Sequence, residues 1–293
     1  MMYSENKINI YSDDGVRLSL WKIEPISTNS DTNVFLTHGA FSNKDICFGV
    51  AKYLAERNIT CWILEWRSHG SSENYDKPFD FETIALKDIK AAFDYLIHNV
   101  KLKYFHCVTH SGGGISLTIL LCKMPKYKDN VKKIVFFSCQ SYGASYGIFS
   151  RLKLCIFNFF TCLIGHIPGR MLGLGPHNED YCIMQQWFKW NITGKFLDKT
   201  FNDYRPLMKG VELDILSIRG ESDKFIAPKQ GCDSFLSDFG SKNKELKSCG
   251  LSTGYLRDYN HSTILFSYCA KKEIWPMVYE WLASCNPPKQ AEQ

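Results

Sequence analysis

Ser111 stands at the joint of "YFHCVTHSGGGISLTILL" (residues 104–121), where a β-branched and aromatic run meets three glycines and then an apolar stretch of helical character. A sharp strand-to-helix turn of this kind lifts a serine side chain clear of the backbone and aims it at a cleft. A serine hydroxyl is a weak nucleophile near neutral pH, so the chemistry requires a histidine base within hydrogen-bond reach and a carboxylate to orient that base. Both residue types follow in order. The loop "ESDKFIAP" (221–228), after the apolar run "LDILSIRG", offers Asp223; Glu221 and Asp258 are rival carboxylates, and the Ala227-Pro228 that follows favours Asp223. The loop "NHSTIL" (260–265) offers His261. Attack on a carbonyl creates an oxyanion that needs N–H donors. Gly112 leaves its N–H free for that purpose, Gly113 relieves crowding at the turn, and "LTHGAF" (36–41) ends another apolar run with His38-Gly39-Ala40, making Ala40 N–H the expected second donor.

The elements that must position these residues are legible from periodicity. Two alternating runs, Lys7 to Tyr11 and Val16 to Ile23, flank Asp13-Asp14-Gly15 and predict an N-terminal antiparallel hairpin. The strand "NVFLT", a helix over 46–57 and the strand "ITCWILEW" then form a β-α-β unit. A helix over 81–99 has Phe81, Ala85, Ile89, Ala92 and Leu96 on one face, with Glu82, Lys87, Lys90 and Asp94 placed to face water. The strand before Ser111, the helix after it and the strand "KKIVFFS" continue the alternation. It resumes with "VELDILSIRG", a helix over 229–239, a strand "LSTGYLRDY" and a closing helix over 262–283. Such alternation predicts an α/β fold, a mostly parallel central sheet with helices on both faces and functional loops at the strands' carboxyl ends. Between 141 and 206 the rhythm is lost. This aromatic-rich stretch, punctuated by glycine and proline, reads as a mainly helical insertion, dividing the chain into core 1–140, insertion 141–206 and core 207–293.

Composition limits what these elements can serve. The chain has 293 residues, 45% hydrophobic, enough for a large core, and a formal charge of +5 spread along its length, with clusters such as Lys242 to Lys247 reading as solvated surface. A nucleic-acid role is disfavoured. Of twelve cysteines, Cys61, Cys107 and Cys139 lie in or beside apolar strands and no Cys-x-x-Cys pair occurs, which indicates buried, reduced thiols rather than a disulfide framework or metal site. The start "MMYSENKINI" lacks a basic flank and apolar run, favouring a cytoplasmic protein. The apolar segment over 154–167, interrupted by Asn158 and His166, falls short of the ~20 residues of a membrane span but allows transient contact with a membrane surface.

The motifs together resemble the α/β-hydrolase-fold serine hydrolases, in particular the lysophospholipase or monoacylglycerol-lipase-like and serine-aminopeptidase-like group. The resemblance rests on "HGA", on "EWRSHGSS" for D-x-R-G-H-G-x-S, on "THSGG" for G-x-S-x-G, on "RGESDKFIAP" and on "NHS", and covers nearly the whole chain outside the insertion. It implies Ser111 as nucleophile, His261 as base, Asp223 as acid, and the Ala40 and Gly112 N–H groups as oxyanion donors. It also implies that 141–206 caps the nucleophile, with Phe157, Phe159, Phe160, Trp187 and Trp190 as candidates to line or gate an acyl pocket. The sequence departs from the pattern at Thr109, where the elbow has glycine, at Ser68 for the glycine of R-G-H-G, and at Glu65 for aspartate. The expected function is cleavage of a carboxylic ester, with a lipid or other apolar acyl ester as the candidate substrate, and with no cofactor and no metal. Thioesterase or acyltransferase chemistry would use the same triad, and a catalytically inactive hydrolase-fold binding protein is the alternative of another class.

Overall fold

A computed structural model describes residues 3–26, 31–145 and 147–284. The strands are β1 (Tyr3–Tyr11), β2 (Arg17–Pro25), β3 (Asn33–Thr37), β4 (Thr60–Glu65), β5 (Phe105–His110), β6 (Val131–Phe137), β7 (His166–Ile167), β8 (Glu179–Asp180), β9 (Asp214–Gly220) and β10 (Lys244–Cys249). Eight of them make one sheet in the order β1-β2-β4-β3-β5-β6-β9-β10. Pairing from β4 through β10 is parallel, and β2 runs antiparallel to both β1 and β4. Gly15 at φ +83° closes the β1–β2 hairpin, with its N–H donating to Ser12 O at 2.9 Å.

β3, β4 and β5 are buried at every residue, as expected for strands covered on both faces. The helix Asp45–Ala55 and the C-terminal helices Thr263–Phe266 and Tyr268–Ala283 cover one face, burying Val50, Leu54, Ile264, Ile274 and Val278. A helical run over 81–99 and the helix Gly112–Lys123 cover the other. The run over 81–99 begins at Asp80, whose carboxylate caps Thr83 N–H at 2.9 Å, and it buries Phe81, Ala85, Ile89, Ala92 and Leu96 as the sequence predicts. Glu82, expected to face water, is instead buried and accepts Lys199 N–H at 2.9 Å, because residues of the insertion lie over this turn.

The end of the sheet also differs from expectation. Residues 251–259, read as a strand, form a single 3₁₀ turn, Leu251–Thr253, and loop; the outermost strand is β10, within the lysine-rich stretch read as plain surface. An edge strand that exposes lysine and glutamate carries no clean apolar alternation, so periodicity hides it. All cysteines of the described residues are free, and seven are buried, but Cys155 and Cys162 are exposed on the insertion. That insertion contains the helices Ile148–Ile164 and Tyr181–Thr193 and the two-stranded β7–β8 pair.

Candidate active site

The elbow is built by close packing around Ser111. β5 delivers the residue to φ 52°, ψ −122°, a strained conformation for any side-chain-bearing residue, and its N–H donates to Phe137 O at the end of β6 at 2.8 Å. The loop after β3 presses against this turn. A Cβ on Gly39 would lie 2.7 Å from Ser111 Cβ, and one on Gly113 would lie 2.4 Å from His38 O, so neither position accommodates a side chain without displacement. Thr109, where the elbow pattern has glycine, is accommodated by the third glycine: a Cβ on Gly114 would meet Thr109 Oγ1 at 3.0 Å and Cys139 Sγ at 2.5 Å. The crowding of a branched side chain is thus transferred one turn along the helix.

The three side chains singled out from the sequence converge above the carboxyl ends of β5, β9 and β10. His261 Nε2 lies 2.9 Å from Ser111 Oγ, and His261 Nδ1 lies 2.6 Å from Asp223 Oδ2. The other oxygen, Asp223 Oδ1, accepts the N–H groups of Ile226 at 3.1 Å and Ala227 at 3.0 Å. Burial alone would raise the Asp223 pKa, but the adjacent His261 and these N–H donors outweigh it and hold the carboxyl below its ordinary value. The rival carboxylates are engaged elsewhere: Glu221 accepts from Ser252 Oγ, and Asp258 accepts Leu251 N–H at 2.9 Å.

Ala40 and Gly112 flank the same point. Gly112 opens the helix after Ser111, and neither its N–H nor that of Ala40 donates to a partner among the described residues. The Gly39–Ala40 peptide is oriented by His38, whose Nε2 accepts Trp66 N–H at 3.2 Å and whose Nδ1–H therefore donates to Gly39 O at 2.8 Å. Because a trans peptide directs its N–H opposite its carbonyl, Ala40 N–H points away from His38. Burial, followed by the nearby His69, keeps the His38 pKa well below its ordinary value, so the imidazole stays neutral.

Several supporting contacts are not legible in the sequence. Buried Arg219 donates to the carbonyls of Asp223, at 3.2 Å, and Ala227, at 3.2 Å, bracing the loop that carries Asp223. His110 donates from Nε2 to His261 O at 3.0 Å, and burial with the neighbouring His261 pushes its pKa down to about 3. Glu65 accepts Lys44 N–H at 3.1 Å, Ser71 N–H at 2.9 Å and Trp21 Nε1–H at 2.9 Å, organising the loop in which Ser68 takes φ +60° without glycine. Arg67, fully buried in that loop, pairs with Asp88 and reaches Asp14 at 2.8 Å.

Of the aromatic candidates in the insertion, Trp187 and Trp190 are buried, Trp190 packing on Phe81, the residue that lies against Gly112. Phe157 approaches Phe225, in the loop after β9, at 6.2 Å between ring centroids but remains exposed, as are Phe159 and Phe160.

Comparison with known proteins agrees with this architecture. Residues 28–169 match the family described as serine aminopeptidase, S33. No protein of curated function matches the chain in sequence. An esterase from Exiguobacterium antarcticum superposes with a TM-score of 0.68 at 15% identity, covering 94% of this chain and 99% of that one. An esterase from Pyrococcus furiosus gives 0.61 at 18% identity over 96% and 92% of the two chains. A monoacylglycerol lipase from Paleococcus ferrophilus gives 0.61 at 14% identity over 90% and 98%.

Proposed function

We propose that this chain, which has the α/β-hydrolase fold and matches the serine aminopeptidase, S33 family over residues 28–169, cleaves a carboxylic ester by acyl transfer through Ser111. The observation that carries the reading is the continuous relay in which His261 bridges Ser111 Oγ, at 2.9 Å, and Asp223 Oδ2, at 2.6 Å. His261 Nε2 takes the serine proton as Oγ attacks the carbonyl carbon, and Asp223 holds the imidazole tautomer and stabilises the imidazolium. The tetrahedral oxyanion is held by the Ala40 and Gly112 N–H groups. Its collapse breaks the bond to the alkoxy group, which leaves with the His261 proton. Water, deprotonated in turn by His261, then attacks the acyl-serine and releases the acid.

We assign the insertion over 141–206 the part of a cap and the substrate an apolar acyl group. The buried Trp187 and Trp190 and the approach of Phe157 to Phe225 support this. In the helix Ile148–Ile164 the stripe formed by Phe149, Leu152, Ile156, Phe159, Phe160 and Leu163 is exposed. No acidic residue occurs over 130–178, while Arg151, Lys153 and Arg170 do. An apolar stripe with a basic fringe suits transient seating on a membrane surface where lipid esters reside. No helix among the described residues is long and apolar enough to cross a membrane. The free cysteines favour action in the reducing cytoplasm.

The test is covalent labelling with a fluorophosphonate probe. The parent protein is expected to react and Ser111→Ala to remain folded but unlabelled. Labelling that survives the substitution refutes the assignment.

A further inference from the structure

The insertion grips the loop that carries Ala40, and one buried carboxylate makes the connection. Glu179, in β8, accepts Phe41 N–H on Oε2 at 2.8 Å, while Phe41 O accepts His177 N–H at 3.1 Å. Phe41 sits at φ +64°, a conformation that a non-glycine residue retains only when its surroundings hold it. Gly169 and Gly175 close around it: a Cβ on either would meet Phe41 Cδ1 at 2.7 Å or Phe41 O at 2.1 Å. The same Glu179 Oε2 lies 3.2 Å from His69 Nε2, both side chains being almost fully buried. His69 Nδ1 faces Arg67 O at 2.9 Å, so both ring nitrogens meet acceptors and both carry protons.

Phe41 follows Ala40 directly. The Gly39–Ala40 peptide is fixed on one side by His38, and the Ala40–Phe41 peptide is fixed on the other by Glu179. The direction of Ala40 N–H depends on both. We propose that Glu179 is a positioning residue for the oxyanion site, so that the seating of the inserted segment and the aim of the Ala40 N–H are set together. This rests on the reading of Ser111 as nucleophile and Ala40 N–H as oxyanion donor. It assigns to a residue of the insertion a part in stabilising the transition state that no contact with substrate is needed to explain.

Two substitutions separate this part from simple support of the fold. Glu179→Gln keeps the length, and its carbonyl oxygen in the place of Oε2 can accept from both Phe41 N–H and His69 Nε2–H while the charge is removed. Glu179→Asp retracts the carboxylate from both partners, which breaks the short-range hydrogen bond to Phe41 N–H but leaves the negative charge within Coulombic reach of His69. With a p-nitrophenyl ester, E179D is expected to lose about tenfold or more in kcat with KM changed less than about threefold, because a displaced donor weakens only the transition state. E179Q is expected to stay within about threefold of the parent in kcat, the conservative length rescuing the aim. An alkyl trifluoromethyl ketone, whose adduct is an oxyanion, should weaken in E179D by the same factor as kcat/KM.

A merely structural ion pair gives the opposite order, with E179D intact and E179Q impaired. That order overturns the proposal, as does an unchanged kcat in E179D or a loss expressed as higher KM. If E179D does not fold, E179Q alone decides: a kcat loss beyond about tenfold there overturns the assignment. Failure of the underlying reading is recognised separately, by ester turnover that persists in Ser111→Ala.

Discussion

Asp223 divides its two oxygens between tasks: Oδ2 meets His261, and Oδ1 holds its own loop through Ile226 and Ala227. An asparagine there retains the shape but presents an amide that can donate toward His261 Nδ1 and favour the wrong tautomer. Asp223→Asn is therefore expected to lower kcat by roughly 10³–10⁴-fold with little change in KM, measured by steady-state ester hydrolysis. Ser111, Asp223 and His261 could be found in the sequence because each is a reactive residue type just after an apolar strand or its loop, in an order that the sheet topology makes meaningful. Arg219, His110 and Glu179 could not. Their significance lies in which carbonyl or N–H they face across the fold, from 4 to 151 residues away. One trace of Glu179 is readable afterwards: it is the first carboxylate beyond an acid-free span of the chain.

At the scale of elements, the turn between β1 and β2 is tied to the loop after β4. Asp14 accepts two bonds from Arg67, at 2.8 and 3.1 Å, and Arg67 is in turn held by Asp88. The Arg67 hydrogen bonds lower the Asp14 pKa from 3.8 to about 2. A carboxylate whose folded pKa is depressed stabilises the protein above its unfolded value and loses that contribution as pH falls through the folded one. Denaturant melts of the parent should therefore lose stability as pH drops from 3.8 to about 2. Asp14→Asn should be less stable than the parent near neutral pH, and the difference should shrink across that window; a constant difference would contradict the tie. The long helical run over 81–99 was legible because its apolar residues repeat at one-turn spacing, and β10 was not, because an edge strand need not alternate. Glu65, at the end of β4, and Ser68, in the loop after it, depart from the family pattern. The structure reconciles them, since Glu65 supplies the bonds that hold the loop and Tyr75 N–H donates to Ser68 Oγ at 2.9 Å.

For the whole molecule, the unusual feature is where the apolar surface lies. Folding places Leu154 and Thr161 of the helix Ile148–Ile164 against the core and leaves the opposite, more apolar stripe exposed, with Phe149 at 79%. If that stripe seats on lipid, replacing Phe149, Leu152 and Phe160 together by serine should weaken binding to anionic phospholipid vesicles by about tenfold or more. Hydrolysis of a short, water-soluble ester should change less than about twofold, since these side chains are remote from the proposed chemistry. Vesicle co-sedimentation and ester assays read the two effects independently, and undiminished vesicle binding would remove the stripe from the account. The sequence by itself determined the strand-helix rhythm, the hydrolase-type sheet and the identity of the candidate reactive residues, because those follow from local periodicity and from chemistry confined to few residue types. Only the tertiary structure decided which carboxylate meets His261, how a threonine fits the elbow, which aromatic residues turn inward, and that Glu179 reaches the loop of Ala40. These are contacts between segments far apart in the chain, set by three-dimensional packing that no local pattern encodes.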